Sequence, residues 1–126
     1  MPATHSSNRI LCVEDDPDTV GLVVTVLSGF EVVSAKTIAE GWELFSTQHF
    51  SLVILDYWFP DGSGLELCER MRSQDYQTPV VVVSGDPFLS ESKVRIAGGQ
   101  RLITKGTPTF IDDLYAAAKN LAINVN

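Results

Sequence analysis

The sequence predicts an α/β fold in which a doubly wound, five-stranded parallel sheet carries helices on both faces, as a three-layer sandwich. Five short apolar or β-branched runs recur along the chain, and helix-like stretches alternate with them. The first, third and fourth runs are almost continuously apolar, which is typical of strands buried on both faces of a parallel sheet. Regular alternation of strands and helices implies right-handed crossovers and helices on both sides.

The five predicted strands follow directly from these runs. They span residues 9–13, 30–35, 51–55, 79–84 and 101–104. Apolar spacing predicts the helices between them. One face of the first helix carries Val20, Val23, Val24 and Leu27, one face of the second carries Ile38, Trp42 and Phe45, and the last helix carries Phe110, Leu114 and Ala117.

Capping residues predict where several helices begin and end. Ser63, with Glu66 three residues later, forms a capping-box pattern at the start of the third helix. The pair Gly98–Gly99 is a stop signal for the fourth helix. Thr107–Pro108 predicts a cap followed by a first-turn proline for the last helix.

Length and composition predict one domain over residues 9–123, after a flexible polar tail at 1–8. Nine basic and sixteen acidic residues leave a net charge of −7, which argues against nucleic acid as the main partner. No apolar run approaches the roughly 18 residues that a membrane span requires, and the start lacks a secretory pattern. The cysteines Cys12 and Cys68 read as reduced thiols, so we expect a cytoplasmic protein.

Polar residues gather after the predicted strands. In open α/β sheets ligands bind beyond the carboxyl ends of the strands, so these residues are the candidates for a site. The first strand is followed by Glu14, Asp15 and Asp16, the third by Asp56, the fourth ends in Ser84, and Lys105 follows the fifth.

This set of residue types has a chemical logic. Clustered carboxylates repel one another unless a cation intervenes, and Mg²⁺ accepts a few carboxylates while keeping several waters. A lysine pairs with an incoming phosphoryl group, and a serine hydroxyl donates to its oxygens. The combination predicts phosphoryl transfer onto a carboxylate.

Plainer interpretations remain open for single residues. Asp16 before Pro17 and Asp86 before Pro87 both suit helix caps with a first-turn proline. Taken alone, Ser84 reads equally well as a buried structural hydroxyl, and Lys105 as a solvated lysine. Their shared edge of the predicted sheet is what favours a common site.

Four motifs in order resemble the receiver domain of two-component response regulators, of the chemotaxis type. They are "ILCVEDD", "LDYWFPDGSG", "VVVVSG" and "AGGQRLITK". The resemblance covers roughly residues 9–121 and implies a flavodoxin-like (βα)5 domain. It also implies that Asp56 is the nucleophile for a phosphoryl group from a sensor histidine kinase or phosphotransfer protein, with Ser84 and Lys105 holding the phosphoryl oxygens.

The resemblance also implies a magnesium site and a mode of action. Besides Asp56, Asp15 would bind Mg²⁺ directly, Glu14 through water, and Trp58 through its main-chain carbonyl. The domain would not be an ordinary enzyme, although it assists its own phosphorylation and dephosphorylation. It would signal to a downstream protein or to an output domain outside this sequence, without membrane contact, and the resemblance allows a homodimer.

Two positions depart from the family pattern. The proline that usually follows the lysine, through a cis bond, is replaced by Gly106. A cis bond before a non-proline residue costs about 2.5–4 kcal/mol, so we expect a trans bond and a repositioned loop. The Tyr or Phe usually found three residues before the lysine is Leu102, which predicts weak or altered switching at the fourth helix and fifth strand.

Trp58 and Asp86 lie two residues beyond the acceptor and the hydroxyl residue. In the family these positions flank the path of the attacking water. We expect the bulk of Trp58 to slow hydrolysis, and the charge of Asp86 to add to the field around the phosphoryl group.

Three other functions compete with a phosphorylated receiver. A pseudo-receiver, acting without phosphorylation, is favoured by Leu102 and Gly106. It is opposed by the presence of all five expected site residues, which are Glu14, Asp15, Asp56, Ser84 and Lys105. An aspartyl phosphatase usually needs a second acid where this chain has Trp58. A flavin-binding protein is disfavoured because the acidic loop after the first strand would repel a phosphate.

Overall fold

A parallel sheet of five strands forms the middle layer of the computed structural model, which describes residues 8–122. The strands are β1 (Arg9–Val13), β2 (Glu31–Ala35), β3 (Leu52–Asp56), β4 (Val80–Ser84) and β5 (Arg101–Thr104). Their spatial order is β2-β1-β3-β4-β5 with every pairing parallel. This is the doubly wound, flavodoxin-like order, and it confirms the predicted fold.

Five helices cover the two faces of the sheet. They are α1 (Pro17–Val26), α2 (Ile38–Thr47), α3 (Gly64–Gln74), α4 (Glu91–Ile96) and α5 (Phe110–Ala117), the last continued by a π-helical turn over Ala118–Ala122. A two-stranded antiparallel hairpin, Trp58–Phe59 with Gly62–Ser63, lies between β3 and α3. The predicted tail at 1–8 lies outside the described residues except for Asn8, and so does residue 123 at the end of the predicted domain.

Two apolar layers hold the helices against the sheet. On one face Leu11, Val53 and Val82 pack with Phe45 of α2 and Met71 of α3. On the other face residues of α1 and α5 pack on the alternate strand positions: Ile10, Ile54, Val83, Val23, Leu27, Phe110 and Leu114. Since β1, β3 and β4 are buried on both sides, their continuous apolar runs are explained.

Three expectations about helices need correction. Val24, which the spacing placed with Val23 and Leu27, is 46% exposed, because the buried line of α1 runs through Val23 and Leu27. The last helix begins at Phe110 with Thr109 as its cap, not at Thr107–Pro108, since those residues form a turn in which the Phe110 amide donates to the Thr107 carbonyl.

The third correction concerns Asp86. Its carboxylate accepts from the amide of Phe88 at 2.8 Å, which caps a turn, and α4 begins later, capped by Ser90. The caps at Asp16 and Ser63 are confirmed. The hydroxyl of Ser63 accepts from the amide of Leu65 rather than from that of Glu66.

Both cysteines are buried free thiols. Cys12 lies in β1 and Cys68 in α3, on opposite faces of the sheet. Burial raises the pKa of Cys12 to about 12 and that of Cys68 to about 11. In residues 8–122 there is no helix with both the length and the apolar character needed to cross a bilayer.

Candidate functional site

Three carboxylates meet at the carboxyl ends of β1 and β3. Glu14 and Asp15 follow β1 directly, and Asp56 is the last residue of β3. One oxygen from each of the three lies within 4.8 Å of the others. The strands bring them together because β1 and β3 are parallel neighbours. Oxygen atoms at this spacing suit a hard divalent cation such as Mg²⁺, so the residues present fit the metal that the sequence predicts.

Lys105 joins two of these carboxylates. Its Nζ lies 2.9 Å from Oε1 of Glu14 and 3.1 Å from Oδ1 of Asp56. Glu14 is 2% exposed and Asp56 is 9% exposed. Because an unpaired buried charge is strongly unfavourable, the ammonium group of Lys105 offsets part of the charge of both acids.

Burial and charge act on these groups in opposite directions. Burial raises the pKa of Glu14, and the charge of Asp56 adds to that effect, while Lys105 counters it in part. Burial works to lower the pKa of Lys105, but its contacts with Glu14 and Asp56 outweigh this and raise the pKa. The lysine is therefore held firmly as a cation.

Ser84 stands at the end of the next strand. It is 4% exposed, and its Oγ accepts from the amide of Asp86 at 2.9 Å. Its neighbours are fixed by the sheet, since the Lys105 amide donates to the Ser84 carbonyl at 2.9 Å and Val83 lies opposite Asp56. The hydroxyl proton of Ser84 is left to donate to an incoming oxygen.

The side chains of two other predicted residues, Asp16 and Trp58, make contacts of their own. Asp16 caps α1, accepting from the amide of Asp18 at 3.2 Å and from Thr19 Oγ1 at 2.8 Å, and the Thr19 bond lowers its pKa. Trp58 follows Asp56 by two residues, with its side chain 61% exposed and its ring 4.9 Å from that of Tyr57.

The glycine at position 64 of the acceptor motif is required by close packing. A Cβ at this position would collide with the main-chain carbonyl of Asp56. The amide of Gly64 also donates to the Tyr57 carbonyl at 2.7 Å. The start of α3 therefore packs directly against the acceptor backbone, which only a residue without a side chain permits.

Asp61 has a role that its sequence context does not predict. Its two carboxylate oxygens accept from the amides of Ile38 and Ala39 at 3.1 and 3.3 Å. A cap supplied by a loop 22 residues away in sequence leaves no periodic pattern. The Thr37 hydroxyl accepts from the Glu40 amide, so the first two amides of α2 need an acceptor from elsewhere, and the sequence does not show where it lies.

The two departures both lie on β5 and the turn after it. Leu102 is partly buried against the layer that contains Leu89 and Val94, and its amide donates to Oε2 of Glu91 at 3.3 Å. Among the described residues no peptide bond is cis, which confirms the trans bond after Lys105. Gly106 takes φ +79, a conformation that glycine adopts without strain.

The family follows from comparison with known proteins. Residues 10–118 match the family described as the response regulator receiver domain. The chain belongs to this family. Its function is therefore that of a receiver domain in two-component signalling, and the match covers every predicted site residue.

Curated relatives are longer proteins. The chain is 30% identical over 93 residues to the cell cycle transcriptional regulator CtrA of Caulobacter vibrioides, covering 72% of this chain and 40% of that protein. It is 30% identical over 121 residues to the transcriptional regulatory protein TcrA of Mycobacterium tuberculosis, covering 93% of this chain and 47% of that protein. The chain thus spans less than half of each.

Solved structures share the architecture along nearly the full length. A CheY-like receiver domain protein from Methanospirillum hungatei superposes with a TM-score of 0.80 at 28% identity, covering 90% of this chain and 92% of that one. Response regulator TrrA from Thermotoga maritima, solved in complex with Mg(2+)-BeF, has a TM-score of 0.80 at 26% identity, covering 90% and 97%.

Proposed function

We propose that Asp56 is the phosphoryl acceptor of this receiver, and that Glu14, Asp15, Asp56 and the carbonyl of Trp58 hold Mg²⁺. The observation that carries the proposal is the cluster itself: three carboxylate oxygens within 4.8 Å of one another, with Lys105 Nζ 3.1 Å from Oδ1 of Asp56. A Mg(2+)-BeF complex of the relative TrrA supports the same metal.

The transfer is a displacement at phosphorus. An oxygen of Asp56 attacks the phosphoryl group of a phosphohistidine, the P–N bond breaks as the P–O bond forms, and the imidazole leaves with its electron pair. Lys105 is placed to pair with a phosphoryl oxygen, because its Nζ already lies beside the attacking carboxylate. Ser84 donates its hydroxyl proton to another oxygen. When bound, Mg²⁺ supplies positive charge that offsets the clustered carboxylates and the transferring group.

The donor is proposed as a sensor histidine kinase or a phosphotransfer protein. Output passes to a downstream protein or to a domain outside this sequence, consistent with the greater length of CtrA and TcrA. A cytoplasmic location, a homodimer, self-catalysed dephosphorylation and an action without nucleic acid or membrane contact remain predictions.

Phosphorylation by acetyl phosphate with Mg²⁺, followed by intact mass, tests the proposal. The wild type should gain one phosphoryl group, and Asp56→Asn should gain none. Asp86→Asn serves as a matched control, since Asp86 caps a neighbouring turn and should not prevent the gain. A wild type that stays unmodified, with or without Mg²⁺, would support a phosphorylation-independent pseudo-receiver.

A further inference from the structure

The loop between β3 and α3 is tied to another part of the molecule through Asp61. This loop runs from Tyr57 to Ser63 and follows the proposed acceptor directly. Asp61 reaches across to α2 and accepts from the amides of Ile38 and Ala39. These are the first two amides of that helix, which have no acceptor within the helix itself.

Helix α2 also has a cap from its own N-cap residue, Thr37, which accepts from the amides that follow Ile38 and Ala39. Thr37 Oγ1 accepts from the Glu40 amide at 3.0 Å, and the Thr37 carbonyl accepts from the Gly41 amide at 2.9 Å. Thr37 and Asp61 therefore divide the N-terminal amides of α2 between them. A carboxylate is also favoured at this positive end of a helix. The helix is anchored in the core by Phe45 and Gly41, so the Asp61 contact restrains the loop against a fixed element.

The main chain at Trp58 depends on such restraints. The Trp58 side chain is 61% exposed, so it contributes little to holding its own backbone. The restraints come from its neighbours. Phe59 is 7% exposed within the core, and the loop closes on itself where Trp58 pairs with Ser63 and Phe59 with Gly62. Asp61 lies at the turn of this hairpin and ties it to α2.

We propose that Asp61 is a positioning residue, which holds the Trp58 main chain in place for Mg²⁺ by fastening the acceptor loop to the first turn of α2. The inference rests on the proposed function, in which the carbonyl of Trp58 is a metal ligand. It has a further consequence. Because the contact joins the loop to α2, Mg²⁺ binding changes the environment of the Ile38 and Ala39 amides as well as that of the acidic cluster.

Mg²⁺ titration followed by Trp58 fluorescence, in a Trp42→Phe background so that Trp58 is the only tryptophan, tests the proposal. Asp61→Ala should weaken Mg²⁺ binding about 10-fold, the lower end of the range for residues that orient metal ligands. Thr37→Ala is the matched control, because it removes the other cap of the same helix. It should lower the urea midpoint comparably and leave Mg²⁺ affinity unchanged.

Asp61→Asn provides a second variant that keeps one acceptor oxygen, and it should bind Mg²⁺ between wild type and Asp61→Ala. If Asp61→Ala does not fold, the asparagine variant carries the comparison. Equal Mg²⁺ affinity in wild type and both Asp61 variants would overturn the inference while leaving the proposed function intact, as would equal weakening by Thr37→Ala. A wild type that does not bind Mg²⁺ would overturn both.

Amide spectra separate positioning from a simple loss of stability. In wild type, adding Mg²⁺ should shift the Ile38 and Ala39 amide resonances together with those of the acidic cluster. In Asp61→Ala the helix resonances should no longer respond, even at saturating Mg²⁺. Unchanged Ile38 and Ala39 resonances in wild type at saturation would contradict the proposed connection.

Discussion

The two flanks of the acidic cluster are built differently. On the acceptor flank, α3 is 11 residues long and buries Leu67, Cys68 and Met71, and its first residue packs against the Asp56 backbone. On the opposite flank, α4 has only 6 residues, of which Val94 alone is buried. Phe88 in the loop before it is 90% exposed, and Ile96 at its end is 81% exposed.

The difference in packing coincides with where the sequence departs from the family pattern. Asp56 and its neighbours are held by core packing, by the hairpin and by Asp61, and this flank matches the family motif. Both departures from the pattern, Leu102 and Gly106, fall on the lightly packed flank. We therefore expect phosphoryl acceptance at the first flank and weak or altered switching at the second.

The largest expected effect lies on the acceptor flank. Gly64→Ala should destabilise the fold by about 3 kcal/mol, at the upper end for overpacking, because the new Cβ meets the main chain of Asp56 rather than a movable side chain. Gly21→Ala is the control. It lies within α1 with nothing near its Cβ and should gain about 0.5–1 kcal/mol. Urea unfolding measures both, and equal midpoints would contradict the tight packing of Gly64 against the acceptor backbone.

A smaller effect, of opposite sign, is expected for Glu14→Gln. Burial raises the pKa of Glu14 above 4.5 in the folded protein. The ionised carboxylate of Glu14 is therefore less favourable in the folded than in the unfolded state, and stability falls as the pH rises from 4.5 through the folded pKa. Without Mg²⁺, the neutral variant should be more stable at pH 7 by about 1 kcal/mol, as is usual when a functional constraint is relieved. The gain should vanish below pH 4.5, where both side chains are neutral.

This comparison requires urea midpoints at both pH values. A wild type that is as stable as Glu14→Gln at pH 7 would show that Lys105 compensates the buried charge completely. The variant should also bind Mg²⁺ more weakly, since it lacks one of the three carboxylates.

The next effect concerns the lifetime of the phosphoryl group rather than stability. Trp58→Ala should shorten the lifetime by less than about tenfold, which corresponds to at most 1.4 kcal/mol in the barrier, because the exposed ring no longer shields the acyl phosphate. Phe88→Ala removes a comparably exposed aromatic ring from the other flank and should leave it unchanged. Decay of the phosphorylated mass at fixed pH measures both, and a lifetime that is unchanged or longer in Trp58→Ala would end the shielding hypothesis.

The smallest effect is expected at Leu102. A beryllofluoride titration should produce large amide shifts around Asp56 and only small ones on β5, because leucine lacks the ring that moves inward in the family. Leu102→Tyr should enlarge the β5 shifts with little change in stability. Large wild-type shifts centred on Leu102 would mean that this flank switches by another route, and the Glu91 contact with the Leu102 amide would be the first candidate.

Much of the fold and site was predictable because it depends on local pattern and on sheet topology. The boundaries of all five strands of the parallel sheet were predicted to within one residue, since buried parallel strands are continuous apolar runs, whereas the short hairpin after β3 was not predicted. The positions of Glu14, Asp56, Ser84 and Lys105 followed from the rule that parallel strands end at one edge. The clustering of three carboxylate oxygens with the lysine confirms that rule.

The rest depended on contacts between distant segments. Asp61 caps α2 from another loop, which no spacing in either segment indicates. Asp86 and Pro87 carry the local pattern of a helix start, yet the turn that they form ends before α4 begins at Glu91. Thr107–Pro108 likewise carries the local pattern of a helix start, but α5 does not begin there. The turn after Lys105 makes Phe110 the first helical residue, and its side chain reaches the core.

The two buried cysteines make this receiver convenient to label. The chain contains two cysteines, both enclosed in the core with pKa values raised to about 12 and 11, so neither is a thiolate at neutral pH. A single cysteine introduced on the surface, for example in place of Ser92 on α4, would be the one thiol open to a maleimide dye. Both natural residues can then stay, and a dye on α4 can report changes in that flank on an otherwise unaltered chain.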